Sequence, residues 1–289
     1  CHAGARPRLG RLIHMRSRFF AMAGVLAAAG AGAVTVAARR LPGIFSSWDR
    51  TSYTGKRVSL TEGLAAAAGL GLASVALPPG RRAGAGIVIT AASAAGAVDD
   101  HFEDRFPAKG KGLKGHIGAL REGKVTSGTV KIGLIGAGAA FGSLAIPRRG
   151  GRLRRAVAWA GQSALIAGTA NIVNLLDLRP GRALKAAATA SVFAGTSGAA
   201  AAGMRDAIIA VSGVCMRDDL EGRTMLGDLG ANAVGAALGY SLALAPSPVL
   251  RWSCLSGVVA LTLASEKYSF SQVIEETPVL AWADRLGRR

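Results

Sequence analysis

The chain of 289 residues is 50% hydrophobic, has only 5% aromatic residues and carries a formal net charge of +18. In a soluble protein such a charge would indicate nucleic-acid binding, but here the lysines and arginines fall in short connections between long apolar runs. That distribution, with a mean hydropathy of +0.34, is typical of a membrane protein and excludes a basic nucleic-acid-binding domain.

The apolar runs predict an all-α fold. About nine segments, each of roughly 14 to 20 residues, are nearly free of charge and approach the length that crosses a bilayer core. We therefore expect a polytopic membrane bundle of about nine (roughly 8 to 11) transmembrane helices. One segment, 207–216, is too short to span without its flanks. The segments are approximately 19–37, 62–77, 83–98, 130–146, 156–176, 183–203, 207–216, 230–246 and 250–264.

The chain divides into a leader, a membrane domain and a tail. Because Met15-Arg-Ser-Arg has the form of a natural start, residues 1–14 are interpreted as a non-native or disordered leader. Residues 15–264 form the polytopic domain, and residues 265–289 an amphipathic tail at the membrane surface.

The basic residues between the apolar runs also predict an orientation. Three acidic clusters lie at the ends of apolar runs, and the connections that contain them are richer in lysine and arginine than those on the other side. The positive-inside rule places these clusters on the cytoplasmic side of the membrane. The exception is a run of five arginines within 148–155, which falls on the opposite side.

The first acidic cluster follows the apolar run 83–98 and reads Asp99-Asp100-His-Phe-Glu103-Asp104. Two adjacent carboxylates repel each other unless a cation or water screens them. Mg²⁺ prefers one or two carboxylates together with waters and substrate phosphates, which suits such a pair. A solvated helix end is the alternative interpretation of the same residues.

The second cluster is a stripe of polar residues inside an apolar run. Asn171, Asn174 and Asp177 lie three residues apart and therefore follow one face of a helix. Such a stripe should face the bundle interior, either as a functional site or as an interhelical hydrogen-bond cluster. Arg179 and Arg182 follow it, and their guanidiniums could hold a diphosphate bidentately.

The third cluster contains Asp228, which a glycine precedes directly and another follows two residues later, before an apolar run. A carboxylate in this position is either a helix cap or a ligand exposed to a substrate. A flexible basic stretch, 109–131, ends at Lys131 and could contact phosphate or anionic lipid. It lacks the spacing of a Walker loop, so an ATPase is not expected.

Taken in order, these motifs resemble those of the polyprenyl-phosphate N-acetylhexosamine-1-phosphate transferases, which include phospho-MurNAc-pentapeptide translocases and GlcNAc-1-phosphate transferases. Residues 99–103 resemble the family's Asp-Asp-x-x-Asp/Glu motif, and residues 171–177 its Asn-x-x-Asn-x-x-Asp motif. Residues 225–230 resemble its Gly-Asp-x-Gly motif, and residues 54–63 take the place of its first cytoplasmic loop. The resemblance extends over about residues 40 to 250.

The resemblance implies transfer of a phospho-sugar from a UDP-sugar to a polyprenyl phosphate in cell-envelope polysaccharide biosynthesis, with release of UMP. It implies Mg²⁺, or Mn²⁺ in its place, as cofactor, and it leaves a homodimer open. Asp99, Asp100 and Asp228 are then the expected catalytic residues, with Asp100 and Asp228 as metal ligands. The expected substrate-binding residues are Lys56, Lys131, Asn171, Asn174, Asp177, Arg179 and Arg182.

Two departures from the family pattern bear on the function. The family usually has a glycine and a second aspartate after the position of Asp177, where this chain has Leu-Arg-Pro-Gly. The family's histidine-rich last cytoplasmic loop is replaced by residues 265–270, which contain no histidine. MurNAc-pentapeptide is therefore disfavoured as the transferred group. Two alternatives stay open: a catalytically silent relative that binds lipid phosphate or nucleotide, and a small transporter with an ion path.

Overall fold

The fold is predominantly helical, as the apolar runs predict. The computed structural model describes residues 6–51, 55–106, 112–194 and 198–288. Within these ranges there are twelve α-helices and one antiparallel hairpin. The elements are α1 (Arg6–Arg40), β1 (Asp49–Thr51), β2 (Arg57–Ser59), α2 (Thr61–Val75), α3 (Pro79–Phe102), α4 (Gly112–Arg121), α5 (Ser127–Ser143), α6 (Arg152–Leu176), α7 (Arg182–Ala194), α8 (Ala199–Leu220), α9 (Gly227–Ala243), α10 (Pro248–Ser265), α11 (Phe270–Glu276) and α12 (Pro278–Arg285).

Within the described ranges, four helices are long and apolar enough to cross a membrane. These four segments are Ala21–Arg40, Arg152–Leu176, Ala199–Leu220 and Pro248–Ser265. The last of them, α10, has no buried residue, and its apolar side chains such as Leu263 point outward. An apolar helix without a protein partner on most of its surface is suited to contact with lipid.

The boundary between two predicted segments differs from the sequence expectation. The predicted segment 183–203 is divided, because α7 ends at Ala194 and α8 begins at Ala199. Gly198 precedes α8 with a φ of 121°, a left-handed conformation that glycine adopts without a steric penalty. Helix α8, with 22 residues, combines the end of segment 183–203 with the short predicted segment 207–216 and its flanks. At the other end of the chain, α1 includes residues 6–14, which the sequence sets apart as a leader.

Helix α9 occupies the centre of the bundle. It is buried along almost its whole length and packs against α2, α3, α6, α7 and α8. Its glycines permit the close approach: a Cβ on Gly235 would lie 2.7 Å from the Cα of Ala170 on α6. Small residues allow helix backbones to pack closely where lipid provides no hydrophobic driving force. This packing brings the amino end of α9 next to the carboxyl ends of α3 and α6.

Candidate active site

Four polar side chains from four helices meet at one end of the bundle. Asp99 lies near the end of α3, Lys131 near the start of α5, Asn174 near the end of α6, and Asp228 at the second position of α9. Lys131 Nζ lies 3.3 Å from Asp99 Oδ2 and also pairs with Asp228 Oδ2. With its amide oriented to suit both neighbours, Asn174 donates to Asp228 Oδ1 at 2.9 Å and accepts from Lys131 Nζ at 3.0 Å. We call these residues the four-residue network.

The network depends on a close contact between α3 and α9. A Cβ on Gly96 would lie 2.2 Å from the backbone oxygen of Asp228, so no larger residue fits there without displacing a helix. Gly96 lies about one turn before Asp99 on α3. The contact therefore sets the separation between the two carboxylates of the network.

Asp100 has a different role from its neighbour. Its Oδ1 accepts a hydrogen bond from the backbone N–H of Asp228, and its Oδ2 accepts one from the backbone N–H of Leu229. Arg50, in β1, donates to the backbone oxygen of Asp100 at 2.7 Å. Because both carboxylate oxygens are engaged in capping α9, we revise the expected role of Asp100 from metal ligand to positioning residue.

The pKa values of the two carboxylates in the network are shifted in opposite directions. Burial raises the pKa of Asp228 to about 7, the hydrogen bond with Asp99 adds to this, and the positive charge of Lys131 opposes it. Burial also acts to raise the pKa of Asp99, but the hydrogen bond with Asp228 and the charge of Lys131 outweigh it and lower the pKa. Because the two carboxylates interact directly, they titrate as a coupled unit.

Asp177 lies next to the network in a second group of buried carboxylates, whose other members, Glu62 and Asp219, lie outside the sequence motifs. Burial raises the pKa of Asp177 well above its usual range, and the charges of Asp219 and Asp228 raise it further. Glu62 and Asp219 are buried nearby, and each of these three carboxyl groups has one buried oxygen without a hydrogen-bond partner in the described structure. The Asp218-Asp219 pair ends an apolar run in the same way as Asp99-Asp100, and that signal could have identified it.

The two arginines that follow Asp177 are directed away from the network. Arg182 is buried and forms two hydrogen bonds with the carboxylate of Asp284 on α12, at 2.7 and 3.1 Å. Arg179 pairs with Glu275 on α11 at 2.6 Å. These contacts attach the C-terminal helices to the connection between α6 and α7. We therefore leave both arginines out of the site proposed below.

Two further candidates lie outside the network. Asn171 is half-buried on α6, one turn before Asn174. Lys56 is exposed directly before β2. The structure thus unites Asp99, Lys131, Asn174 and Asp228, with Asp100 and Asp177 adjacent.

The donor set of the network fits a metal that arrives with its substrate. Among the described residues, no group of three or more histidine, cysteine, aspartate or glutamate side chains is arranged to hold a metal ion. Asp99 and Asp228 nevertheless provide the one or two carboxylates that Mg²⁺ usually takes beside waters and substrate phosphates. The ammonium of Lys131 already pairs with both carboxylates and supplies a positive charge beside them.

Each of the three acidic or amide motifs that carry the family resemblance contributes a residue to the network. No protein-family model and no curated protein matches the chain. The resemblance to the transferases therefore rests on the sequence motifs alone.

Proposed function

We propose that the protein is a phosphoglycosyl transferase that moves a phospho-sugar from a UDP-sugar to a polyprenyl phosphate and releases UMP. The observation that carries the proposal is the meeting of Asp99, Lys131, Asn174 and Asp228 from four separate helices. Carboxylates beside an ammonium group and an amide match a reaction between two phosphates, which needs both cations and positioning groups.

The reaction assigns a task to each residue of the network. An oxygen of the lipid phosphate bonds to the sugar-bearing phosphorus, and the bond from that phosphorus to the bridging oxygen breaks, so that this oxygen leaves with UMP. Lys131 would donate to a phosphate oxygen, and Asn174 would hold Asp228 in place. Asp99 and Asp228 would hold Mg²⁺, which when bound neutralises the charge on the diphosphate.

The apolar helices support the same proposal. We propose that α1, α2, α3 and α5 to α10 correspond to the nine expected spans of a bacterial inner-membrane protein. The network, at the ends of its four helices, would then face the cytoplasm, where UDP-sugars are available. The polyprenyl phosphate would reach it from the surrounding lipid.

The test is UMP release by the purified protein with Mg²⁺, undecaprenyl phosphate and a panel of UDP-sugars. Release that requires both lipid and metal would support the transferase and identify its donor sugar. Asp228→Asn, which removes charge without changing volume, should reduce release by about 100-fold or more. Asp104→Asn, on an exposed carboxylate outside the network, should leave release unchanged.

A catalytically silent binding protein is the second candidate. The contact of Lys131 with both carboxylates favours it, because a resident ammonium group can take the place of a metal. If folded protein released no UMP with any sugar but bound UDP-sugar or polyprenyl phosphate, this second function would replace the first.

A further inference from the structure

A large cavity lies at the end of the bundle opposite the four-residue network. Its volume is about 1080 Å³, and it opens between the start of α3, the connection from α5 to α6, and the start of α10. Along α6, Arg154 in the cavity wall and Asn174 in the network are about 30 Å apart at the rise of an α-helix. That distance is about the thickness of the hydrocarbon core of a bilayer, so the cavity and the network lie at opposite membrane faces.

The cavity is lined by arginines without carboxylate partners. None of the acidic residues in the described structure lines it, and the described ion pairs include none of its arginines. Five guanidiniums in one cavity repel one another and favour a bound anion. The five are Arg81, Arg148, Arg149, Arg154 and Arg251.

Three of these guanidiniums are held in place by neutral oxygens. Arg81 donates to the backbone oxygen of Gly80, and Arg148 donates to the side-chain oxygen of Gln162 at 2.9 Å. Arg251 donates to the backbone oxygen of Ala245. Such contacts orient the guanidiniums without neutralising them, so their full charges remain available to a ligand.

The remainder of the wall is apolar and open. Leu153, Val157 and Trp252 line the cavity, and each keeps a large part of its surface exposed. A ligand for this cavity should therefore combine an anionic group with hydrocarbon.

We propose that the cavity binds the phosphate of an anionic phospholipid, whose acyl chains lie along Leu153, Val157 and Trp252. Guanidiniums bind phosphate oxygens through paired, charge-assisted hydrogen bonds, and the apolar wall provides the contact for the chains. The proposal explains why a run of arginines lies on the face opposite the one that the positive-inside rule favours. It does not depend on the transferase reaction, because the cavity and the network are separate.

Native mass spectrometry of the purified protein in a neutral detergent measures how many lipid molecules stay bound. Phosphatidylglycerol and phosphatidylcholine with identical acyl chains are added in turn, and we expect retention of phosphatidylglycerol in preference. The double variant Arg149→Gln/Arg154→Gln should weaken that retention about tenfold. The matched control is Arg152→Gln/Arg155→Gln, which removes the same charge from exposed positions of α6 outside the cavity lining and should retain the lipid.

Three results would overturn the proposal. Equal losses in both double variants would show that only the general surface charge attracts the lipid. Equal retention of the two lipids would show that the arginines do not select an anion. Displacement of phosphatidylglycerol by an equal concentration of inorganic phosphate would assign the cavity to a free anion instead. Arg251→Gln, from a different helix, should reproduce the loss and provides the test if the first double variant fails to fold.

Discussion

The carboxylate of Asp100 caps the helix that carries Asp228. Its two oxygens accept hydrogen bonds from the backbone N–H groups of Asp228 at 3.0 Å and of Leu229 at 2.8 Å. Helix α9 has no side-chain cap from Leu226, the residue that precedes it, so α3 supplies the cap from outside. A negative charge at a helix amino end is also favourable to the helix dipole. The two adjacent carboxylates of the motif thus have different roles. Asp99 belongs to the network, and Asp100 caps α9, the helix that carries Asp228.

Replacement of Asp100 should affect stability as well as transfer. Asp100→Ala leaves two backbone N–H groups without their acceptor and should lower the free energy of unfolding by about 1–2 kcal/mol. Asp100→Asn keeps one acceptor oxygen and should cost about half as much. The measurement is the thermal stability of both variants. Asp99→Ala, which leaves the cap intact, is the control. A loss of transfer with unchanged stability in Asp100→Ala would return Asp100 to the role of a metal ligand.

The close contact between α3 and α9 predicts a strong effect of one added methyl group. Gly96→Ala would place a Cβ 2.2 Å from the backbone oxygen of Asp228, so the helices must separate and the network must widen. We expect loss of UMP release and a lower melting temperature. Gly86→Ala on the same helix is the control, because its nearest contact would be 3.6 Å away, at Ser74. Equal behaviour of the two variants would show that the contact does not position the site.

The buried pair between Arg182 and Asp284 should stabilise the attachment of the C-terminal helices. Arg182→Gln removes two charge-assisted hydrogen bonds to the buried carboxylate, which keeps its pair with Arg288 at 2.6 Å, and should destabilise the protein by about 1.5–3 kcal/mol. Arg179→Gln breaks a more exposed pair, with Glu275, and should cost no more than about 1 kcal/mol. Chemical denaturation gives the free energy of unfolding of both variants. Normal stability of Arg182→Gln with weakened UDP-sugar binding would instead support the diphosphate contact expected from the sequence.

The pKa of Asp177 predicts how stability changes with pH. Because the folded protein raises this pKa, it favours the protonated carboxyl group, and ionisation lowers the stability as the pH rises from about 4 toward the folded pKa. Asp177→Asn removes this ionisation. The melting temperature of the variant relative to the wild type should therefore increase between about pH 5 and pH 8, measured in EDTA.

The control for this pH comparison is Asp104→Asn, which alters an exposed carboxylate. Its melting temperature relative to the wild type should stay nearly constant over the same interval. A constant difference for Asp177→Asn as well would mean that Asp177 stays ionised in the folded protein at both pH values.

The helices could be predicted from the sequence because their apolar runs are local. Eight of the nine predicted segments lie largely within one helix each, and only 183–203 is divided between two. The residue that ends a run is local information too, which is why Asp99, Asn174 and Asp228 could be selected as candidates. The break before Gly198 was missed, although Gly195-Thr-Ser-Gly198 interrupts the apolar run with residues that favour turns.

The sequence by itself determined the apolar helices, the basic connections and the acidic ends of the runs. Only the tertiary structure decided which of those ends meet. Adjacent residues can have different roles: Asp99 belongs to the network, whereas Asp100 caps α9. Arg182 pairs with a carboxylate that lies 102 positions away in the sequence. The physical reason is that periodicity defines the faces of a helix, whereas the small residues at each crossing define which faces come into contact.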